Sequence, residues 1–332
     1  MSKPKKLLND PGEVAREQFE GFMLAAPHLE ALPGMTAAIR KDFRPDKVAV
    51  VTGGGAGHEP MYGGYVGEGL ADAVSVGDVF AAPSPDVIVE TCSALSPQNG
   101  VLFVYGNYAG DNMNYDIAAE LLEDEGIPSH TIRINDDVIS APPSLLEERR
   151  GIAGALYVLK AAGAAAETYS EFDEVVAAAE KALKHTASAG VAIAPCAIPR
   201  NDSFNFEIAA DEIEIGMGLH GEPGVGKSKI SSSDQVVDQI MEALAEDLSL
   251  KAGDEVCMLV NNLGASTQME LLIANRAANL YLQQLGVSVY DNLVGNYCTS
   301  LEMSGFSISL FKLDEQLKAL YDQPCQSFAL RR

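Results

Sequence analysis

Three segments of this chain place a chemically active side chain among glycines or at a predicted strand end. The first, residues 53–60, reads GGGAGHEP and follows a short apolar run. Because glycine has no Cβ, such a segment brings its backbone amides close to a ligand. His58 would then lie at the C-terminal end of a strand, where open α/β sheets bind substrates. The segment therefore predicts a ligand loop containing Gly55, Ala56, Gly57 and His58, with a tight structural turn as the alternative.

The second segment, residues 107–114, reads NYAGDNMN and follows another apolar run. Asp111 either caps the helix that follows or accepts a proton from a substrate hydroxyl. If the two preceding strands are neighbours in one sheet, His58 and Asp111 share a cleft.

The third segment, residues 214–224, reads EIGMGLHGEPG. An imidazole such as that of His220 can act as a base, a ligand or a nucleophile, or can be purely structural. Residues 221–228 also match GxxxxGK[ST], the phosphate-loop pattern, which requires a helix beginning at the Lys-Ser pair. The following KISSSD sequence is a poor helix former, and residues 232–234 are typical of the start of a later helix, so we predict no nucleotide site here.

The elements that must position these segments alternate between strands and helices. Predicted strands are 47–52, 100–105, 129–134, 191–194, 255–260 and 287–290. Predicted helices are 112–125, closed by Gly126, then 151–166, 172–184 (ending near 188–190), 235–248 and 267–285. This rhythm predicts an α/β protein of two domains, each with a mainly parallel or mixed sheet flanked by helices. We place the boundary near residue 187, giving domains 1–187 and 188–332.

The composition of the chain indicates which partners and which cellular compartment to expect. The formal net charge is −24, which repels nucleic acid and anionic lipid. The start of the chain has basic residues but no apolar segment of a secretory signal, and no apolar run is long enough to span a bilayer. The five cysteines are widely spaced, without a CxxC pair, and the histidines show no metal-ligand spacing, so we predict reduced thiols, no metal site and a cytoplasmic protein.

Taken together, these segments resemble the substrate-binding K subunit of dihydroxyacetone kinases. The resemblance covers about residues 10 to 325, in the order of the family's motifs. The matching stretches are 53–60, 77–84, 107–114, 135–138, 149–154, 214–224 and 295–306.

The resemblance implies two α/β domains, a homodimer and covalent capture of a short ketose. His220 matches the histidine that adds to the ketone carbonyl to form a hemiaminal. An imidazole nitrogen adds to a carbonyl but not to a hydroxyl, which would separate ketoses from glycerol where hydrogen bonds discriminate poorly. Asp111 and His58 match the residues that flank the substrate hydroxyl and take its proton, and Gly55, Ala56 and Gly57 match the loop that touches substrate.

The same resemblance implies that this chain binds no cofactor of its own. The phosphoryl donor would lie on an L-type partner, either as ATP with magnesium or as ADP recharged by a phosphotransferase-system protein. Because the chain ends shortly after Cys325, we expect that partner to act in trans.

Three positions depart from the family pattern. Gly106 stands at a substrate-binding position where the family usually has lysine, Ala56 replaces a common serine, and Tyr62 replaces a more usual histidine. Loss of the lysine removes a positive charge and is expected to open space. The substrate is then a four-carbon ketose such as erythrulose, or another basic residue supplies the charge, or the chain is a ketose sensor that does not phosphorylate.

Overall fold

The computed structural model describes residues 5–201 and 204–332, so the first four residues of the basic start lie outside it. Its helices are α1 (Val14–Ala25), α2 (Pro85–Leu95), α3 (Ala109–Asp124), α4 (Ala155–Thr168), α5 (Phe172–Lys184), α6 (Ser233–Asp247), α7 (Gln268–Leu285) and α8 (Glu315–Asp322). Its strands are β1 (Leu29–Ala31), β2 (Ala37–Arg40), β3 (Ala49–Ala56), β4 (Ala73–Val79), β5 (Val101–Gly106), β6 (Ser129–Ile134), β7 (Thr186–Ala194), β8 (Glu212–Ile215), β9 (Gly226–Lys229), β10 (Glu255–Asn262), β11 (Ser288–Gly295) and β12 (Ser304–Leu313). Throughout these ranges, every helix is too short or too polar to cross a lipid bilayer.

The described chain forms two compact units, and each unit is made of stretches that are separate in sequence. The first unit comprises Lys6–Ile134, Leu156–Ala182 and Leu317–Arg332, and the second comprises Asn135–Ala155 and Leu183–Gln316. We expected one boundary near residue 187, between domains 1–187 and 188–332. The difference arises because the segment after Ile134 pairs with β7: the amide of Val138 donates to the carbonyl of Ser188 at 3.0 Å.

The first unit contains a six-stranded mixed sheet in the order β1-β2-β4-β3-β5-β6. Strands β4, β3, β5 and β6 are parallel, and β1 and β2 form an antiparallel edge. Helices α2 and α3 cover one face through a core of apolar side chains. That core includes Val51, Ile88, Leu95, Phe103 and Leu122. The parallel strands therefore end at one edge of the sheet, the edge where the glycine-rich loop begins.

The second unit contains a six-stranded mixed sheet in the order β11-β10-β12-β7-β8-β9. Only β10 and β11 among these described strands are parallel neighbours. Helices α6 and α7 pack on the sheet through side chains such as Val237, Ile240, Leu271 and Ala278. Both units thus confirm the predicted class, an α/β protein with two mixed sheets flanked by helices.

Local signals located several element ends. Ser232 accepts from the amide of Gln235 and Thr267 from that of Glu270, so α6 and α7 both begin with a capping box. Gly126 follows α3 with φ +80°, as predicted for a glycine closing a helix.

Several predicted ends were wrong, and two of these errors concern small residues in strands. The strand predicted to stop at Gly53 continues to Ala56, and residues 188–190, predicted to end a helix, lie inside β7. In both places ladder pairing with neighbouring strands outweighs the weak strand preference of glycine and alanine.

Candidate active site

The first candidate loop leaves the sheet beside the second. Strands β3 and β5 are parallel neighbours, with Thr52 paired to Val104. Gly55, Ala56, Gly57 and His58 therefore stand at the same sheet edge as Gly106 and the start of α3, which carries Asp111. We expected His58 and Asp111 to share a cleft if the two strands before them were neighbours, and β3 and β5 are neighbours.

The glycines of this loop are required by packing. A Cβ at Gly53 would lie well under 3.0 Å from the carbonyl oxygen of Ser75 and the hydroxyl of Tyr115. At Gly55 it would lie 2.7 Å from the amide nitrogen of Ala81. Larger residues would force β3 away from β4 and α3, so the loop keeps its position only as glycine.

His58 is held by an aromatic neighbour. Its side chain is 2% exposed, and its ring stacks on Phe80 with centroids 4.9 Å apart and planes inclined by 17°. Phe80 has φ +59°, an uncommon conformation for a bulky residue, and its amide donates to the carbonyl of Ala56 at 3.0 Å. This conformation brings the Phe80 ring against the imidazole, which fits the use of strained backbone to position a functional group.

Asp111 lies in the first turn of α3, third after the N-cap position occupied by Tyr108. Its side chain is buried at the positive end of the helix dipole. Burial raises the pKa of the nearby Tyr115 phenol well above its usual value, and the charges of Asp111 and Tyr62 add to that rise. The carboxylate therefore lies in a weakly hydrated, phenol-lined environment suited to a proton acceptor.

The space at Gly106 is occupied, contrary to our expectation that losing a lysine would open it. A Cβ on Gly106 would lie 3.2 Å from the hydroxyl of Tyr62 and 3.2 Å from the ring of Tyr108. Two aromatic side chains fill the volume that a longer side chain would take.

His220 belongs to the second unit, in the loop between β8 and β9. Its side chain is 24% exposed, and its Nδ1 lies 2.8 Å from Oε1 of Glu222. The backbone amide of His220 donates to Oε2 of the same carboxylate at 3.0 Å. Burial alone would raise the pKa of Glu222, but the hydrogen bonds from His220 lower it to about 2. Because an ionised carboxylate only accepts, Nδ1 donates in this contact, and the Nε2 position is the one left for a lone pair whenever the ring is neutral.

Arg150 holds this loop in shape. Its guanidinium donates to the carbonyl oxygens of Gly216 at 2.5 Å and Glu222 at 3.2 Å, and it pairs with the buried Asp137 at 3.0 Å. A Cβ at Gly218 would lie well under 3.0 Å from the Glu222 carboxylate and 2.6 Å from the Arg150 guanidinium. The loop therefore wraps around charged groups.

The phosphate-loop pattern has a strand where a nucleotide site would need a helix. Residues Gly226–Lys229 form the exposed strand β9, antiparallel to β8, and α6 begins only at Ser233. Loop amides and a helix N-terminus therefore do not converge at Lys227 and Ser228, as predicted.

Sequence reasoning singled out His58, Asp111 and His220 and missed the residues that surround them. Glu222, Phe80 and Arg150 lay inside the matching stretches but received no role. A carboxylate two residues after a loop histidine was the available signal for Glu222. The Phe80 and Arg150 contacts join residues distant in sequence and had no local signal.

A family model described as "Dak1 domain" matches residues 20–329. A Listeria innocua protein named "PTS-dependent dihydroxyacetone kinase 2, dihydroxyacetone-binding subunit DhaK" is 41% identical over 326 residues, covering 97% of this chain and 98% of that protein. An Escherichia coli "PEP-dependent dihydroxyacetone kinase, dihydroxyacetone-binding subunit DhaK" is 37% identical, covering 98% and 99%. An "L-erythrulose kinase" of Pectobacterium atrosepticum is 36% identical, but this chain spans only 56% of it.

Two solved structures are similar in fold and sequence. The "Dihydroxyacetone kinase operon co-activator Dha-DhaQ" superposes with a TM-score of 0.89 at 30% identity, covering 94% of this chain and 97% of that one. The dihydroxyacetone kinase of C. freundii, described in complex with AMP-PNP and Mg2+, has a TM-score of 0.86 at 30% identity, covering 97% and 60%.

Proposed function

The chain belongs to the Dak1 domain family as a dihydroxyacetone-kinase K subunit, and on that premise we propose that it captures a short ketose on His220 and presents it for phosphorylation. As such it is a subunit of a phosphotransferase acting on an alcohol group. The observation that carries the capture step is the contact of 2.8 Å between His220 Nδ1 and Glu222 Oε1.

The capture step uses this pair as nucleophile and positioning group. The Nε2 lone pair of His220 forms a bond to the carbonyl carbon, and the electron pair of the C=O bond moves to oxygen. The ring becomes cationic, which the Glu222 carboxylate stabilises through Nδ1. The Nδ1 proton then passes to the carbonyl oxygen, by way of Glu222 or water, and gives a neutral hemiaminal with all atoms accounted for.

Asp111 and His58 serve the transfer step. The terminal hydroxyl of the ketose attacks the phosphorus of the donor, the bond from phosphorus to its leaving oxygen breaks, and the hydroxyl proton goes to Asp111 or His58. Burial of both groups supports this role, because a desolvated base and a fixed substrate reduce the reorganisation that transfer requires. Gly55, Ala56 and Gly57 supply backbone contacts to the same ketose, as the family resemblance implies.

We propose that the phosphoryl donor lies on an L-type partner, as ATP with magnesium or as ADP recharged by a phosphotransferase-system protein. The names of the relatives matched over nearly their whole length support this, because they describe a dihydroxyacetone-binding subunit of a PTS- or PEP-dependent kinase. The strand at Gly226–Lys229 also favours a donor site on another chain. We also propose that the chain forms a homodimer and is located in the cytoplasm.

A ketose-sensing regulator is the second candidate. It is favoured by the similarity to the operon co-activator, which the chain matches across nearly its whole length. The two functions share capture by His220 and differ in phosphoryl transfer, so a transfer assay separates them.

The proposal is tested by intact mass measurement of the chain with dihydroxyacetone, followed by transfer assays with an L-type partner and its donor. We expect a mass increase of one ketose that is lost in His220→Ala and kept in His130→Ala, a partly exposed histidine of the first unit. Asp111→Asn should keep the adduct and lose transfer by about 100-fold or more. An adduct that survives in His220→Ala contradicts the capture step, and normal transfer by Asp111→Asn contradicts the assignment of the base.

A further inference from the structure

The absent side chain at Gly106 is replaced by the phenol of a residue distant in sequence. Gly106 is buried at the end of β5, and a Cβ there would lie 3.2 Å from the hydroxyl oxygen of Tyr62. Tyr62 is 8% exposed, so most of this residue is buried.

Two glycines on neighbouring strands hold the Tyr62 ring. A Cβ on Gly54 would lie well under 3.0 Å from ring carbon Cε2 of Tyr62 and 2.7 Å from Cζ. Gly54 and Gly106 each lie two residues beyond the paired residues Thr52 and Val104, so they share one face of the sheet. The ring of Tyr62 therefore packs directly on the backbone of both glycines, where any side chain would meet it.

The Tyr62 hydroxyl lies at the end of β5, three residues before α3, the helix that carries Asp111. Tyr62 and Asp111 are both close enough to Tyr115 to raise the pKa of its phenol, after the larger effect of burial. The loop of Gly55, Ala56 and Gly57 directly follows Gly54. Tyr62 thus forms a wall of the sheet edge that carries the proposed ketose contacts of the first unit.

We propose that Tyr62 sets the chain length of the ketose, admitting a three-carbon substrate and excluding a four-carbon one. This inference rests on the proposed function and assigns its substrate class. A rigid ring against two glycines cannot retreat without meeting backbone, so an added CHOH unit would have to displace it. Its hydroxyl both donates and accepts, and can bind a ketose hydroxyl without adding the charge that a lysine would bring.

The two properties of the phenol predict different outcomes for two variants. Tyr62→Phe keeps the ring and should preserve the preference for dihydroxyacetone over erythrulose within about threefold, while weakening the binding of both through loss of one hydrogen bond. Tyr62→Ala removes the ring and should reduce that preference by about tenfold or more, in line with the discrimination a pocket gains from one extra group.

The test is titration of the chain with dihydroxyacetone and with erythrulose, read as the fraction carrying an adduct by intact mass. Tyr157→Phe, a buried tyrosine in α4, is the matched control and should leave the ratio of affinities unchanged. Thermal unfolding reports whether each variant folds, and Tyr62→Leu, expected to lower the preference in the same direction, replaces Tyr62→Ala if that variant does not.

The outcomes separate the inference from the function on which it rests. A preference for dihydroxyacetone that falls in Tyr62→Ala or Tyr62→Leu, but not in Tyr62→Phe, supports the inference. Equal affinity of the unaltered chain for both ketoses, or an unchanged ratio in a folded Tyr62→Ala, overturns the inference and leaves the proposed function standing. No adduct with either ketose overturns the proposed function, and the inference with it.

Discussion

Both units carry a histidine on a glycine-rich segment at the edge of a six-stranded sheet, yet the two segments are held by different forces. Around His58, the missing side chains make room for aromatic rings and backbone, and the imidazole is stacked and almost fully buried. Around His220, the missing side chain of Gly218 makes room for a carboxylate and a guanidinium, and the imidazole stays partly exposed.

The difference teaches that glycine content alone does not assign a role to a loop histidine. Steric packing fixes the position of His58 and withdraws it from water, which suits a group that handles a proton during transfer. A charged partner fixes the tautomer of His220 while leaving the ring accessible, which suits a nucleophile. Substitutions in the first segment should therefore cost stability, and substitutions in the second should cost capture.

The largest expected effect is on stability, at Gly53. Gly53→Ala places a methyl group against the Ser75 carbonyl and the Tyr115 hydroxyl, so we expect the free energy of unfolding to fall by about 3 kcal/mol or more. Urea unfolding measures it. The matched control is Gly21→Ala in α1, where nothing lies within 4 Å of the new Cβ. Alanine in that exposed helix should raise stability by about 0.5–1 kcal/mol. A Gly53→Ala variant as stable as the unaltered chain would show that steric packing does not hold the segment of His58.

The next effect is on capture, at Glu222. Glu222→Gln removes the negative charge that stabilises the cationic ring, and a neutral amide fixes the tautomer less firmly. We expect the rate of adduct formation with dihydroxyacetone to fall about 10- to 100-fold, with a smaller loss of stability than in Gly53→Ala. Glu212→Gln, at the start of β8, is the control and should capture normally. Equal rates in both variants would show that the carboxylate does not assist the imidazole.

A smaller loss of capture is expected at Gly218. Gly218→Ala places its Cβ against the Glu222 carboxylate and the Arg150 guanidinium. The ends of flexible side chains can shift, so the fold should survive, while capture should fall about threefold to tenfold because the pair with His220 is displaced. Adduct titration and urea unfolding of this variant, side by side with Gly53→Ala, measure both quantities. If Gly218→Ala loses stability rather than capture, the two segments are held alike.

The smallest effect is in the pH dependence of stability. His220 holds the pKa of Glu222 at about 2 against the effect of burial, below its usual value. A carboxylate with a lowered pKa stabilises the fold above its unfolded-state pKa of about 4.3, and that stabilisation is lost as pH falls toward 2. The stability difference between the unaltered chain and Glu222→Gln should therefore be constant from pH 7 to about 5 and shrink below that. The stability lost in Gly53→Ala is steric and should not change with pH in this way. If the stability losses of both variants changed in parallel with pH, the two segments would not be held by different forces.

Local patterns predicted much of the fold. The strand at 129–134 has the predicted ends, the amphipathic helix begins at the predicted Phe172, and the start of α6 follows from Ser232 and Gln235. Their signals lie within a few residues of each other, in apolar periodicity and capping. The strand β3 ran past its predicted end because pairing with β4, distant in sequence, decides whether glycines join a sheet.

The candidate site divides in the same way. The sequence by itself determined which residue types could do the chemistry, because His58, Asp111 and His220 stand at recognisable strand ends or among glycines in motifs of one family. Only the tertiary structure decided the contacts with residues distant in sequence: Phe80 beneath His58, Arg150 behind the loop of His220, and Tyr62 in the space at Gly106. The physical reason is that packing volume and burial are sums over chain segments far apart in sequence, and the spacing of residues along one segment carries no measure of them.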